Sequence, residues 1–347
     1  MKHALKYLIC PAAAFLSLIA GSCERAQTGG DVPGRVSVRF VIDGPVRTRV
    51  GEVPAEDEQN IGRWALLVFD MDGRRVAEGV SSDDSGISTE LDSGVYTACA
   101  VVNVPSAGGR PFSPADYDSL EDLESAAVML EENSPSSLMM YGKQSLSLSG
   151  GDNGTKSITV RRLVSKVGVR AVRVDDSGVL AGRTVILSAI YLSNVPGMSS
   201  LGEDLPSGLL PDDASLWHNR LGQRDGSVLL VDGDLGIEVS SSTPYAVPHY
   251  FYPFPNATSS EEDSNGPSWS RRCSRLVFEA KVDGVTYYYP VTIPAMERNR
   301  TYIIGQAVIK RLGSTVPEGD CGSAMDVEWT VGGPADWDGT TPVEELS

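Results

Sequence analysis

Apolar and polar residues alternate with a period of two along much of this chain. Val36, Val38 and Phe40 are separated by Ser37 and Arg39, which predicts a strand with one buried face. Trp64 to Asp70 (WALLVFD) and Gly94 to Val104 (GVYTACAVVNV) are denser apolar runs and predict buried strands. Asp72-Gly73 is a turn signal closing the first of them. A second β-rich series begins near Lys156 and carries Ile158, Val160, Val164, Val167, Val169, Val172 and Val174, with a break. Val185 to Leu192 (VILSAIYL) predicts a core strand. Leu276 to Val282 and Val285 to Ile293 flank Asp283-Gly284, the strongest hairpin signal in the chain. Thr301 to Ile309 and Met325 to Val331 predict the last strands.

One segment, residues 114–132, has helical spacing. Ser113 is placed to cap it, Pro114 fits its first turn, and Tyr117, Leu120, Leu123, Ala127 and Leu130 share a face. Many short strands with turn residues and little helix predict an all-β protein with one or two short helices, built as two β-sandwich domains in tandem. SGGDNG, ahead of the second strand series, sets the boundary near residue 160. The domains are then 50–160 and 161–347. Residues 43–60 are rich in Gly, Pro and Glu and read as an exposed loop.

The N-terminus reads differently. Lys2 and Lys6 precede a thirteen-residue apolar run from Leu8 to Ala20, the length of a signal-peptide core. A spanning helix needs about 20 apolar residues. Ala20, Gly21 and Ser22 then lead into Cys23, an order that resembles a bacterial lipobox. The resemblance implies a signal peptide over 1–22, cleavage before Cys23 and acylation of Cys23. The polar stretch after it, ERAQTGGDVPG, reads as a tether.

The net charge of -17 makes nucleic acid and anionic membrane surfaces poor partners. Beyond Cys10 and Cys23, Cys99, Cys273 and Cys321 remain, an odd number that excludes a complete disulfide framework. Whether Cys273 pairs with Cys321 stays open. His218 and His249 stand in no metal-ligand spacing, and no G-x-S-x-G elbow, P-loop or dinucleotide fingerprint occurs. No catalytic, cofactor or metal residue is assigned, and the chain reads as a non-enzyme. Tyr250, Phe251, Tyr252 and Phe254, and the run Tyr287 to Tyr289, are read first as core residues and second as a surface for sugars or a protein partner.

Several stretches, in order, carry a family likeness: Val36 to Ile42 followed by Arg47-Thr48-Arg49, Trp64 to Gly73, Leu91 to Asn103, Thr159 to Val169 (TVRRLVSKVGV), and Tyr287 to Ile304 with its Tyr-Tyr-Pro and Arg-Asn-x-x-Tyr pattern. They resemble the Bacteroidales fimbrillins, subunits of protease-activated (type V) pili. The resemblance implies transthyretin-like sandwiches and a lipidated propeptide over 23–49. It implies an Arg-specific protease cutting at Arg49, or at Arg47. That cut removes the strand of Val36, Val38 and Phe40 together with the lipid. It implies other pilus subunits as partners, outer-membrane attachment through acyl chains, then a fimbrium on the cell surface contacting host or bacterial ligands. Met325, Val327, Trp329 and Val331 alternate with Asp326, Glu328 and Thr330 and read equally as the candidate donor strand and as an ordinary edge strand of the second domain. Shaft, tip and uncleaved anchor roles remain open, as does a lipid-anchored monomeric binding protein.

Overall fold

The computed structural model describes residues 35–44, 56–103, 112–151, 154–202, 214–224, 227, 229–258, 271–333 and 337. In the first sandwich the strands are β1 (Val36–Asp43), β2 (Trp64–Phe69), β3 (Arg75–Ser81), β4 (Ile87–Leu91), β5 (Gly94–Val102), β6 (Ala127–Met129), β7 (Met140–Leu148), β8 (Thr155–Thr159) and β9 (Arg161–Arg162). Five of them form a sheet in the order β3-β2-β5-β7-β9. A three-stranded sheet, β4-β1-β8, covers one face of it.

The core between these sheets is built from alternate residues. Val36, Val38 and Phe40 meet Trp64, Leu66, Val68, Ala98, Ala100, Val102 and Met140. The other face of the five-stranded sheet carries Ala65, Leu67, Phe69, Cys99 and Val101, which join a second, larger core. Both faces of β2 are therefore covered, which is why WALLVF is apolar at every position.

The second sandwich holds β10 (Lys166–Val169), β11 (Val172–Val174), β12 (Val185–Ser193), β13 (Val195–Pro196), β14 (Met198–Ser200), β15 (Trp217–His218), β16 (Val231–Asp232), β17 (Ile237–Glu238), β18 (His249–Phe251), β19 (Arg275–Val282), β20 (Val285–Thr292), β21 (Thr301–Ile304), β22 (Ala307–Ile309), β23 (Met325–Asp326) and β24 (Trp329–Gly332). One sheet runs β16-β12-β19-β20, with β17 also on β12. The facing ladders are β18-β10-β21-β24 and β11-β22-β23. Arg170 N–H to Ile304 O and Ala307 N–H to Ala171 O, each 2.9 Å, carry the first into the second. A register shift between Leu187 and Ala189 moves the core face of β12 from Leu187 to Ile190.

Turn chemistry behaves as the sequence predicts. Asp70 Oδ1 accepts from the backbone N–H of Asp72 and of Arg74, both at 2.9 Å, and Gly73 takes φ 74°. Asp283 and Gly284 both have positive φ, the condition for a two-residue hairpin loop.

Three expectations change. Residues 114–132 are not one helix. Pro114–Asp116 is a 3-10 turn, α1 spans Leu120–Ser125 under a Ser119 cap, and β6 and another 3-10 turn follow. Pairing of β6 with β14 overrides the local helical spacing, and Ser113 makes no side-chain cap bond. The predicted strand 301–309 breaks between β21 and β22, and 325–331 breaks between β23 and β24. The pairing of Cys273 with Cys321, left open by the sequence, is not formed: both are free thiols.

Candidate functional site

β1 is the middle strand of its sheet. It runs antiparallel to β4, with Val36 opposite Leu91 and Phe40 opposite Ile87. It runs parallel to β8, with Arg39 beside Thr155 and Asp43 beside Thr159. Among the described residues β4 and β8 have no other ladder partner. Val36, Val38 and Phe40 are at most 1% exposed, while Ser37 and Arg39 face solvent. Burying three such side chains contributes on the order of 5–9 kcal/mol. Without β1, two rows of backbone N–H and C=O groups and an apolar trough would lie open.

Cys23, Arg47 and Arg49 lie outside the described residues. The predicted exposed loop does not stay exposed to its end. Glu56–Gln59 forms a 3-10 turn, and Glu58 is 1% exposed.

The candidate donor residues sit at the rim of the second sandwich. β24 is an edge strand paired with β21, and β23 pairs with β22. Met325 is buried, Val327 and Trp329 are half-buried, and Val331 is 48% exposed. The Trp329 indole N–H donates to Thr292 O at 3.1 Å. β1 and the candidate donor therefore lie on different sheets of the same chain.

Sequence reasoning missed a buried polar cluster between the sandwiches. Glu58 Oε2 accepts from Lys166 Nζ and from Trp337 Nε1, each at 2.9 Å. Glu58 Oε1 accepts from the Tyr252 hydroxyl at 2.5 Å. Arg162 Nε donates to Glu58 O at 3.2 Å, and its guanidinium lies 4.8 Å from the centre of the Trp337 ring. All five residues are nearly or fully buried. Burial, then the neighbouring Glu58 carboxylate, pushes the Tyr252 phenol well above its ordinary range, so it remains a donor. A tryptophan between two aspartates in a polar tail was the one signal in the sequence that pointed here.

A second junction lies at α1. β6 pairs with β14, and Leu201 N–H and Gly202 N–H donate to Ala126 O and Glu124 O. Arg298 gathers the same corner, donating to the carbonyls of Leu201, Gly202 and Ser200 and to Ser199 Oγ.

The remaining candidates settle into the packing. Phe251, Tyr252, Phe254 and Tyr289 are core residues. His249 Nδ1 meets Asp232 Oδ2 at 2.5 Å and Nε2 meets the Tyr245 hydroxyl at 2.9 Å, tying β18 to β16. Cys99 is buried against Tyr141, and burial pushes its thiol up to about 12. No three His, Cys, Asp or Glu among the described residues are arranged to hold a metal ion.

No family profile and no curated protein matches this sequence. Solved structures do. A protein from Bacteroides eggerthii DSM 20697 ascribed to cell adhesion aligns at TM-score 0.59 and 16% identity, covering 88% of this chain and 98% of its own. A protein from Parabacteroides distasonis ATCC 8503, also ascribed to cell adhesion, aligns at TM-score 0.63 and 13% identity, covering 90% and 99%. A fimbrilin (fimA) from Porphyromonas gingivalis W83 aligns at TM-score 0.57 and 16% identity, covering 85% and 96%. The chain has the fold of a fimbrilin. The likeness runs through both sandwiches and covers nearly the whole of each solved chain.

Proposed function

We propose that the chain is a structural subunit, shaft or tip, of a protease-activated fimbria that contributes to adhesion. It is exported as a lipoprotein precursor acylated at Cys23 and held at the outer membrane. An Arg-specific protease cuts at Arg49 or Arg47. The segment carrying the lipid and β1 leaves, and a strand of another subunit fills the open trough. Interlocking of this kind is head-to-tail and does not close, so it builds a filament.

The observation that carries this reading is the setting of β1. It is central, fully packed, and joined to neighbours that have no other ladder among the described residues. The two arginines follow it directly in the sequence. Likeness to a fimbrilin across both sandwiches supports the same reading.

The chain also contains a segment patterned like β1. Residues 325–331 (MDVEWTV) laid on residues 36–42 (VSVRFVI) put apolar side chains at the same four alternate positions. Val327 falls on Val38, and the aromatic Trp329 falls on the aromatic Phe40. A donor strand in this register runs antiparallel to β4 and parallel to β8, as β1 does.

N-terminal mass analysis of protein recovered from the cell surface tests the proposal. A start at Val50 or Thr48 in assembled fibres is expected. Surface fibres whose subunits all begin at acylated Cys23 would overturn cleavage and strand replacement.

A further inference from the structure

Trp337 is out of keeping with its surroundings in the sequence. It lies between Asp336 and Asp338 in the polar stretch that follows Pro334, yet it is 1% exposed. Its ring packs under Arg162 and stands 6.3 Å from the ring of Tyr252, centre to centre. Its indole N–H reaches Glu58. The Glu58 carboxylate thus takes donors from three separate parts of the chain: Lys166 of β10, Tyr252 just after β18, and Trp337. A buried carboxylate is costly to leave short of donors, so each one is held firmly.

We propose that Trp337 is a clasp that fastens the C-terminal segment to its own chain, with Glu58 as its receptor. The proposal rests on the reading of residues 325–331 as a donor. That segment is held twice. The ladders of β23 on β22 and β24 on β21 hold its body, and Trp337, six residues beyond Val331, holds its end. Unzipping the ladders alone leaves the segment tethered within a few residues of Glu58, where it cannot reach a second copy. Release of the indole is therefore the step that frees the donor.

The receptor lies close to the proposed cut. Cleavage after Arg49 creates an N-terminus at Val50, eight residues ahead of Glu58. Processing at the front of the chain and retention of its end thus meet on one short stretch. The clasp keeps a precursor from offering its own end before its trough is open.

Hydrogen exchange on the intact, untrimmed protein tests the clasp without any assembly. In Trp337→Ala the amides that bridge β21 and β24 should exchange about tenfold faster or more, while those between β12 and β19 stay as in the wild type. Trp337→Phe keeps a ring and loses the N–H, and should fall between the two. Acceleration spread evenly over both sandwiches would make Trp337 an ordinary core residue and overturn the proposal, as would no change at all. After Arg-specific trimming, Trp337→Ala should begin assembling sooner than the wild type, and equal onset would overturn the gating. A trimmed wild-type protein that never assembles would overturn strand replacement itself. That failure is separate from an unchanged exchange pattern, which removes only the clasp.

Discussion

Phe40 lies opposite Ile87 across the antiparallel ladder, with its ring wholly removed from solvent. It is the largest side chain that β1 commits to the first core. Phe40→Ala in the intact precursor should lower stability by about 3–5 kcal/mol in urea unfolding, the range for deleting a buried ring. A peptide of residues 36–42 should raise the melting temperature of the trimmed protein, and the same peptide with alanine in place of Phe40 should not.

The donor register makes an electrostatic prediction. Ser37 faces Glu90 across the ladder, so Asp326 in the same position would face Glu90 too. Like charges directly opposite each other weaken a strand pair. Glu90 has Arg35 at 3.3 Å, a partner that the proposed cut would remove. Glu90→Lys should therefore speed assembly of the trimmed protein. Raised salt should speed the wild type and slow the variant. Light scattering reads both, and a register shifted by one residue would remove the effect.

Gly142 sets how closely the two layers approach. A Cβ there would stand 2.2 Å from Thr159 O, a backbone atom at the end of β8. Gly142→Ala should cost about 1–3 kcal/mol through forced backbone movement, and more if the strands cannot part. Gly284→Ala is the comparison. It meets nothing within 4 Å but must hold φ +83°, so it should cost only about 1–2 kcal/mol. Denaturant midpoints rank the two.

Buried acids that keep their protons predict a limit at high pH. Burial raises Cys99 to about 12 and Tyr289 to about 12, and pushes Tyr141, Tyr191 and Tyr252 higher still. Each has a folded pKa above its unfolded one, so its contribution is complete below the unfolded value and declines as pH rises through the folded one. The urea midpoint should hold up to about pH 9 and then fall steeply toward pH 12. Tyrosinate absorbance should appear for these phenols only with unfolding. Free titration of all the tyrosines in the folded protein at pH 10.5 would contradict their burial.

Much of the fold was legible in the sequence because strands declare themselves locally. Val36, Ser37, Val38, Arg39 and Phe40 alternate, and β1 buries and exposes them in that order. Asp283-Gly284 marked the β19–β20 turn because few residues other than glycine and its close substitutes accept positive φ. What stayed hidden depends on partners far away in sequence. The helical spacing of 114–132 gave no sign of β14, whose pairing takes Ala127–Met129 into a strand. Nothing in the acidic run before Asn60 announced that Glu58 would be buried, because its donors stand 108, 194 and 279 positions away. The alternation of Met325, Val327, Trp329 and Val331 was legible, but the break after Asp326 follows the sheet beneath it, whose strands β21 and β22 break at the same level.

The parallel pairing of β1 with β8 has a kinetic consequence. β2 meets β3 across 6 to 17 positions and β5 across 28 to 38. Every ladder partner of β1 is at least 47 residues away on β4 and 116 on β8. Loop closure over such distances slows encounter, so β1 is expected to dock late, onto a layer already formed by its neighbours. A strand that docks last arrives at a prepared bed. That bed does not record whether the strand filling it came from the same polypeptide.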